Sequence, residues 1–205
     1  MSSQPPSRAD RRKQETRDRI REAAVELFVE QGYEGTKVSE ICEQADVARQ
    51  TFFNHFPSKR HVATDVFEIG LDMMETHVDT ACEQADAIRD RLRIFFALAV
   101  VPAVETGPFN REFVAQVINS GDIATDENHA RRASAIFLRL VQRGLAQGDV
   151  TRRHAPEILA ELVEGAVMTL MRDWTARGGF DPAARAQQMA ALVADAIEAR
   201  PDERD

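Results

Sequence analysis

The chain has 205 residues, of which 43% are apolar, and its formal net charge at pH 7 is −8. This apolar fraction is ample for a hydrophobic core and excludes a globally disordered chain. Strand-forming residues are scarce, whereas Ala, Leu, Glu, Arg and Gln dominate, so an all-α fold is expected.

Several classes of protein are disfavoured by what the sequence lacks. The longest apolar run, residues 94–104, is interrupted by Pro102 and is too short to span a bilayer. The polar N-terminus has no apolar segment behind it, and Cys42 and Cys82 fit no metal or redox motif. The five histidines lack metal-ligand spacing, and neither a nucleophile elbow nor a Gly-rich phosphate loop occurs. We therefore expect a cytoplasmic protein with no membrane association, metal, cofactor or catalytic residues.

The negative charge is concentrated in the later part of the chain. Residues 1–60 carry eleven Lys/Arg and ten Asp/Glu, whereas residues 61–205 carry fifteen and twenty-four. Between Arg8 and Arg21 there are seven basic residues and three acidic ones. The N-terminal end is thus the part suited to a polyanionic partner.

Residues 1–15 are expected to be a disordered, basic N-terminal arm. The first ten are rich in Ser, Pro and Gln, and RRKQETR follows. That basic run is either the solvated start of a helix or an arm that lies along DNA phosphates.

Three helices are predicted within residues 16–62. The first covers 16–31, where apolar residues recur at helical spacing and Gly32 provides a stop. The second covers 38–45, with Thr36 or Ser39 as a candidate cap. The third covers 48–55, and a tight turn joins these two short helices.

The rest of the chain is predicted to be helical as well. Pro57 ends the third helix, and a long fourth helix runs to about Cys82. Further helices are expected at 87–104, 109–120, 126–147, 155–177 and 182–200, bracketed by Gly and Pro, with a frayed tail at 201–205.

The third helix has the pattern of a DNA-recognition helix. Phe52 and Phe56 form its buried side, and polar residues form the other. Arginine suits guanine and glutamine suits adenine in the major groove, although each polar residue also fits an ordinary solvated surface. The candidate DNA-binding residues are Thr36, Arg49, Gln50, Thr51, Asn54, His55 and Lys59.

The later helices supply candidates for a ligand pocket and a dimer interface. Pocket candidates are His77, Phe96, Phe113, Phe137, Met171 and Trp174, mostly aromatic or apolar residues that also suit a core. The last two helices carry apolar stripes wide enough for a four-helix bundle between two subunits. The interface candidates are Leu159, Leu162, Val163, Ala166, Val167, Leu170, Met189, Leu192, Val193, Ala196 and Ile197.

Residues 16–62, TRDRIREAAVELFVEQGYEGTKVSEICEQADVARQTFFNHFPSKRHV, closely resemble the N-terminal DNA-binding domain of TetR-family repressors. The resemblance implies a homodimer with a helix-turn-helix and a second domain, residues 63–200, that binds a small molecule and dimerises. Asp46 stands where the family usually has Gly, in a left-handed turn that Asp tolerates. Phe53 joins the DNA-facing set at a position commonly held by a Tyr that hydrogen-bonds a phosphate.

The sequence thus predicts a three-helix DNA-binding domain followed by a larger helical ligand-binding and dimerisation domain. The predicted function is a dimeric repressor that binds a palindromic double-stranded operator and is released by a partly apolar small-molecule effector. The alternative is a helical sensor of small molecules or proteins with a degenerate helix-turn-helix, which Phe53 and the negative net charge favour.

Overall fold

The computed structural model describes residues 7–105, 127–176 and 181–200, and within these ranges the chain folds into eight helices. The expectation of an all-α fold is confirmed. The helices are α1 (Arg8–Gly35), α2 (Val38–Gln44), α3 (Arg49–His55), α4 (Lys59–Gln84), α5 (Ile88–Glu105), α6 (Glu127–Gln147), α7 (Pro156–Ala176) and α8 (Pro182–Ile197). None of the described helices is both long and apolar enough to cross a membrane.

The helix α1 begins earlier than the sequence suggested. The Ser7 side chain accepts a hydrogen bond from the Asp10 backbone N–H (3.1 Å), and the Asp10 carboxylate accepts one from the Ser7 N–H (3.2 Å). This reciprocal capping box satisfies backbone donors that would otherwise be exposed at the helix start. Residues 8–15, expected as part of a disordered arm, are therefore helical, and residues 1–6 lie outside the described ranges.

Glycine sets the far end of the same helix. Gly32 has φ 79° and ψ 160°, which interrupts the helical backbone at the predicted stop. A residue with a Cβ is disfavoured at this positive φ. The chain then makes one short turn and reaches Thr36, the C-cap of α1.

The chain divides into two compact units between Glu68 and Ile69, a position inside α4. The sequence-based boundary at residues 62 and 63 falls in the same helix. In the first unit α1 packs on α2, and α2 packs on α3. Its core includes Ile20, Ala24, Phe28, Ile41, Phe52, Phe56, Val62 and Val66.

In the second unit α5 packs on α8, α6 packs on α7, and α7 packs on α8. Phe95 lies at its centre, with its ring 5.6 Å from Phe96 and 5.8 Å from Phe137, both edge to face. On the surface, Arg89 at the start of α5 pairs with Asp195 (2.8 Å) and Glu198 (2.6 Å) at the end of α8. Burial and this ion pair together join α5 and α8.

A close approach between α6 and the segment after it requires glycine at position 144. A Cβ on Gly144 would lie 2.3 Å from Val150 Cγ2 and 2.8 Å from Asp149 Oδ1. Val150 is buried, so its side chain has no open space into which to move.

We therefore expect Gly144→Ala to lower the free energy of unfolding by about 1–2 kcal/mol, because overpacking outweighs the better helix propensity of alanine. Urea unfolding followed by the fluorescence of Trp174, the single tryptophan, measures this. In a double-mutant cycle with Val150→Ala the cost should shrink, because the clashing methyl group is absent. An equal cost in both backgrounds would contradict the proposed close contact.

Candidate nucleic-acid interface

The helix α3 is held by its aromatic side, as the sequence predicts. Phe52 is 0% exposed and Phe56 is 1% exposed, and their ring centroids lie 6.2 Å apart. The turn before the helix has Asp46 at φ 49°, which confirms the left-handed conformation expected there. The N-cap residue, Ala48, supplies no side-chain hydrogen bond, so α3 begins without a polar cap.

Arg17 of α1 fixes the end of α3. Its guanidinium donates a hydrogen bond to the backbone oxygen of His55 (3.1 Å) and lies 4.2 Å from the Phe56 ring centroid. It also pairs with the Asp65 carboxylate on α4, which in turn accepts a hydrogen bond from Arg21 (3.2 Å). One cation therefore bridges α1, the last residue of α3, and α4.

Sequence reasoning missed this role because Arg17 was counted only as part of a basic run. Its position contained a usable signal. Arg17 lies three residues before Ile20 and seven before Ala24, both of which are fully buried. At helical spacing it therefore belongs to the inward side of α1 rather than to its solvated side.

The polar side of α3 is open to solvent. Arg49, Gln50 and Asn54 are exposed, Thr51 is half-buried, and Phe53 is 40% exposed. Gln50 Nε2 donates a hydrogen bond to Asn54 Oδ1 (3.1 Å). The α3 sequence RQTFFNH contains no acidic residue, which favours an anionic partner.

His55 at the end of α3 is half-buried, and its Nδ1 is buried with no hydrogen-bond partner among the described residues. Burial lowers the pKa of His55, because the charged imidazolium loses solvation, and the nearby Arg17 and Lys13 lower it further. Burial and the neighbouring cations thus favour the neutral form of the imidazole.

Thr36 has a different role from the one predicted. It is 2% exposed, and its hydroxyl donates to the backbone oxygen of Gly32 (2.8 Å). The N-cap of α2 is Lys37, whose N–H donates to the Glu40 carboxylate (2.9 Å), so the predicted Thr36 cap is wrong. The Thr36 hydroxyl is thus buried and used within the protein, and a contact between Thr36 and a DNA phosphate stays a prediction.

Lys59 lies at the start of α4 and points back to the connection between α1 and α2. Its Nζ donates to the backbone oxygens of Tyr33 and Thr36 (2.9 Å to the latter) and lies 4.2 Å from the Tyr33 ring centroid. These contacts give the side chain a structural role. A contact between Lys59 and a DNA phosphate stays a prediction.

The candidate pocket residues lie in the second unit, with Phe113 outside the described residues. Four of them are buried, namely Phe96, Phe137, Met171 and Trp174. His77 is half-buried, its Nδ1 has no partner among the described residues, and burial lowers its pKa. Phe96 and Phe137 both pack in the cluster around Phe95, so a ligand pocket at these residues stays a prediction.

Most of the predicted dimer interface is buried within the single chain. Leu159, Val163, Ala166, Val167, Leu170, Val193 and Ile197 are buried, and Met189 is half-buried. These residues are part of the unit's own core, and their assignment to a dimer interface stays a prediction. Leu162 (44% exposed), Leu192 (64% exposed) and Ala196 remain exposed.

Two further exposed apolar residues on α7 were missed: Ile158 (54% exposed) and Met168 (48% exposed). Ile158 lies one helical turn before Leu162, and Met168 lies one turn after the exposed Gly165. Helical spacing from Leu162 was the signal in the sequence from which this exposed side of α7 could have been predicted. We call Ile158, Leu162, Met168 and Leu192 the exposed apolar face.

Among residues 7–105, 127–176 and 181–200, no cluster of three or more His, Cys, Asp or Glu side chains is arranged to hold a metal ion. Cys42 and Cys82 are both buried free thiols, and burial raises the pKa of each.

Comparison with known proteins gives consistent matches. Residues 20–66 match the family model for bacterial regulatory proteins of the tetR family. The HTH-type transcriptional repressor DhaR of Mycobacterium sp. (strain GP1) is 24% identical over 162 residues, covering 75% of this chain and 81% of DhaR. The HTH-type transcriptional regulator TcmR of Streptomyces glaucescens is 47% identical over 58 residues, 28% of this chain and 26% of TcmR.

A solved structure extends the likeness over both units. The transcriptional regulator FadR from Bacillus subtilis, in complex with stearoyl-CoA, matches with a TM-score of 0.75 at 16% sequence identity. The match covers 88% of this chain and 98% of the FadR chain. At this identity the likeness establishes the fold.

The lowered pKa of the half-buried His55 predicts acid sensitivity. The unfolded chain has the ordinary histidine pKa of about 6.5 and the folded chain a lower one, so the unfolded state binds the proton more readily. The stability contributed by the neutral imidazole is fully present above about pH 6.5, the pKa of the unfolded chain. It is lost as the pH falls from there through the lower pKa of the folded chain. The free energy of unfolding should decrease between pH 7 and pH 5, and less steeply in His55→Gln.

Urea unfolding followed by circular dichroism at several pH values measures this slope. The same exchange at the exposed His154 is the control for the removal of an imidazole. If His55→Gln had the slope of the original chain, the burial of His55 would not contribute to acid sensitivity.

Proposed function

We propose that this chain, whose residues 20–66 place it in the tetR family of bacterial regulatory proteins, is a dimeric repressor. It binds a palindromic operator, and a small molecule releases it from the DNA. The observation that carries this proposal is the two-sided character of α3. Phe52 and Phe56 are buried, while Arg49, Gln50 and Asn54 face solvent. A helix held in this way can enter the major groove with its polar side towards the base edges.

Electrostatics support a nucleic-acid partner in spite of the net charge of −8. Basic residues outnumber acidic ones seven to three between Arg8 and Arg21, and Lys13 is close enough to His55 to affect its pKa. The first turns of α1 thus bring positive charge near the end of α3. Contacts with phosphates would add affinity without base specificity and would make binding dependent on salt.

The exposed apolar face supports the dimer. It includes four of the five large apolar residues that are exposed among the described residues, and all four lie on α7 or α8. Gly165 lies on α7 between Leu162 and Met168, and an added Cβ there would meet no atom within 4 Å. An apolar face with a small residue at its centre suits close, self-complementary packing of two copies about a two-fold axis.

We propose a partly apolar effector that binds within the second unit. His77 supports this proposal, because its Nδ1 is buried without a partner among the described residues of a unit whose core is apolar, and ligand sites typically have few polar groups among apolar ones. The structural relative FadR was crystallised with stearoyl-CoA, which sets a precedent for an acyl ligand in this fold. Phe96, Phe137, Met171 and Trp174 remain the candidate apolar neighbours.

The alternative is a helical sensor whose helix-turn-helix no longer reads DNA. The 40% exposed Phe53 favours it, because a phenyl ring cannot donate a hydrogen bond to a phosphate. A gel shift with the DNA upstream of the chain's own gene separates the two. A repressor gives a sequence-specific, salt-sensitive shift, and a sensor with a degenerate motif gives none.

The double variant Arg49→Ala/Gln50→Ala tests the role of α3. It should lose specific operator binding by about 1–3 kcal/mol per lost base contact, because both bidentate donors are removed. Both residues are exposed, so helicity and molecular mass in solution should not change. The matched control is Arg131→Ala/Gln142→Ala, at two exposed positions on α6. Persistent specific binding by the α3 variant would refute the assignment of Arg49 and Gln50 to base recognition.

The double variant Leu162→Glu/Leu192→Glu tests the dimer. Charges within a packed apolar interface are costly, whereas at these exposed positions they leave the fold of the single chain intact. Sedimentation should therefore show a folded monomer, with Ala130→Glu on α6 as the control that remains dimeric. A double variant that stays dimeric would place the interface elsewhere.

A further inference from the structure

The exposed side of α3 contains two side-chain pairs, each joining residues four positions apart. Gln50 donates to Asn54 through a hydrogen bond of 3.1 Å. The guanidinium carbon of Arg49 lies 5.7 Å from the centroid of the Phe53 ring. Residues four apart on a helix are neighbours on its surface, so each pair holds one long side chain against a shorter or more rigid one.

The Gln50–Asn54 pair fixes the direction of an amide. One hydrogen of Gln50 Nε2 is used by Asn54 Oδ1, which leaves the second hydrogen and the Oε1 acceptor for an outside partner. Adenine presents an acceptor, N7, beside a donor, the N6 amino group, along its major-groove edge. The remaining donor and acceptor of Gln50 match that edge. Guanine, with acceptors at both N7 and O6, would leave Oε1 facing another acceptor.

The Arg49–Phe53 pair limits the motion of a cation. The Phe53 ring packs edge to face on Phe52 (5.3 Å, 86°), and Phe52 is fully buried. The guanidinium in turn lies within the range of a cation–π contact with Phe53. Through the Phe53 ring, the hydrophobic core thereby restrains the Arg49 side chain, whose guanidinium suits the N7 and O6 acceptors of guanine.

We propose that Asn54 and Phe53 are positioning residues, and that they orient Gln50 to read an adenine and Arg49 to read a guanine within the same operator half-site. This rests on the proposed function, because it assumes that α3 enters the major groove. It gives Phe53 a role that a tyrosine hydroxyl does not provide. The operator half-site should therefore contain one adenine and one guanine whose recognition depends on different residues of α3.

The probe is a pool of random-sequence DNA duplexes, from which the full-length protein selects its preferred sequence. The variants Gln50→Ala and Arg49→Ala then each show which base pair the replaced residue reads, because discrimination at that base pair is lost. The readout for each further variant is the ratio of dissociation constants between the selected duplex and a duplex with that one base pair exchanged. Gln50→Ala should identify an adenine and Arg49→Ala a guanine, each with a ratio of about tenfold or more in the original protein.

Asn54→Leu should reduce the ratio at the adenine towards one and leave the ratio at the guanine unchanged. Phe53→Leu should do the reverse. Asn54→Asp keeps an acceptor for Gln50 Nε2, so it should weaken binding to all duplexes through its charge while it retains the adenine ratio. Phe53→Tyr keeps the ring and should retain the guanine ratio. Asn54 and Phe53 are both exposed, so each variant should fold.

A role in helix stability alone would change both ratios together, so the crossed pattern separates positioning from folding. The proposal would be overturned if either leucine variant lost discrimination equally at both base pairs, or if neither leucine variant lost any discrimination. The proposal would also fail if Gln50→Ala identified a base other than adenine, although the repressor function would stand. If the original protein selected no sequence at all, the proposed function itself would fall.

Discussion

The Arg17 guanidinium connects α3 to both α1 and α4. The helix α3 has only seven residues, and its N-cap, Ala48, provides no side-chain hydrogen bond. A helix this short does not persist in water by itself, because its few hydrogen bonds do not offset the cost of nucleation. Phe52 and Phe56 hold its inner side in the core, and Arg17 binds its last backbone oxygen while pairing with Asp65 on α4. Packing and one charged hydrogen bond together keep the helix in place.

This restraint on the inner side leaves the outer side for recognition. Every long polar side chain on α3 faces solvent or lies half-buried, and two of them, Arg49 and Gln50, contact a neighbour four residues further on. Side chains that are already oriented lose less conformational freedom when they bind. Base recognition also requires that the helix itself not shift, since a small displacement breaks bidentate geometry. The contacts of Arg17 and the order of the outer side chains thus support the same proposed function.

The sequence predicted the features that periodicity and turn chemistry determine locally. The buried Phe52 and Phe56 and the stop at Gly32 follow from residue spacing along the chain, whereas the left-handed turn at Asp46 was expected from the family resemblance. It did not predict contacts between residues distant in sequence, such as Arg17 with His55 or Lys59 with Tyr33. The predicted Thr36 cap of α2 was wrong for a local reason, because the Thr36 hydroxyl donates instead to Gly32, four residues earlier in α1. An apolar stripe also cannot show which of its residues the chain's own core will bury, as Leu159 and Leu162 illustrate.

Hydrogen exchange of the α3 amides in Arg17→Met tests the role of Arg17 most directly. Methionine keeps an apolar stem against Phe56 but loses both the hydrogen bond to His55 and the pair with Asp65. Protection of the Phe52 and Phe56 amides, which donate to Ala48 and Phe52, should fall about tenfold or more, whereas the Ala45 amide of α2 and the second unit should keep theirs. Arg12→Met, at an exposed position of the same helix, is the control and should change neither. Unchanged protection of α3 in Arg17→Met, or an equal loss throughout the first unit, would contradict a specific role of Arg17 in holding α3.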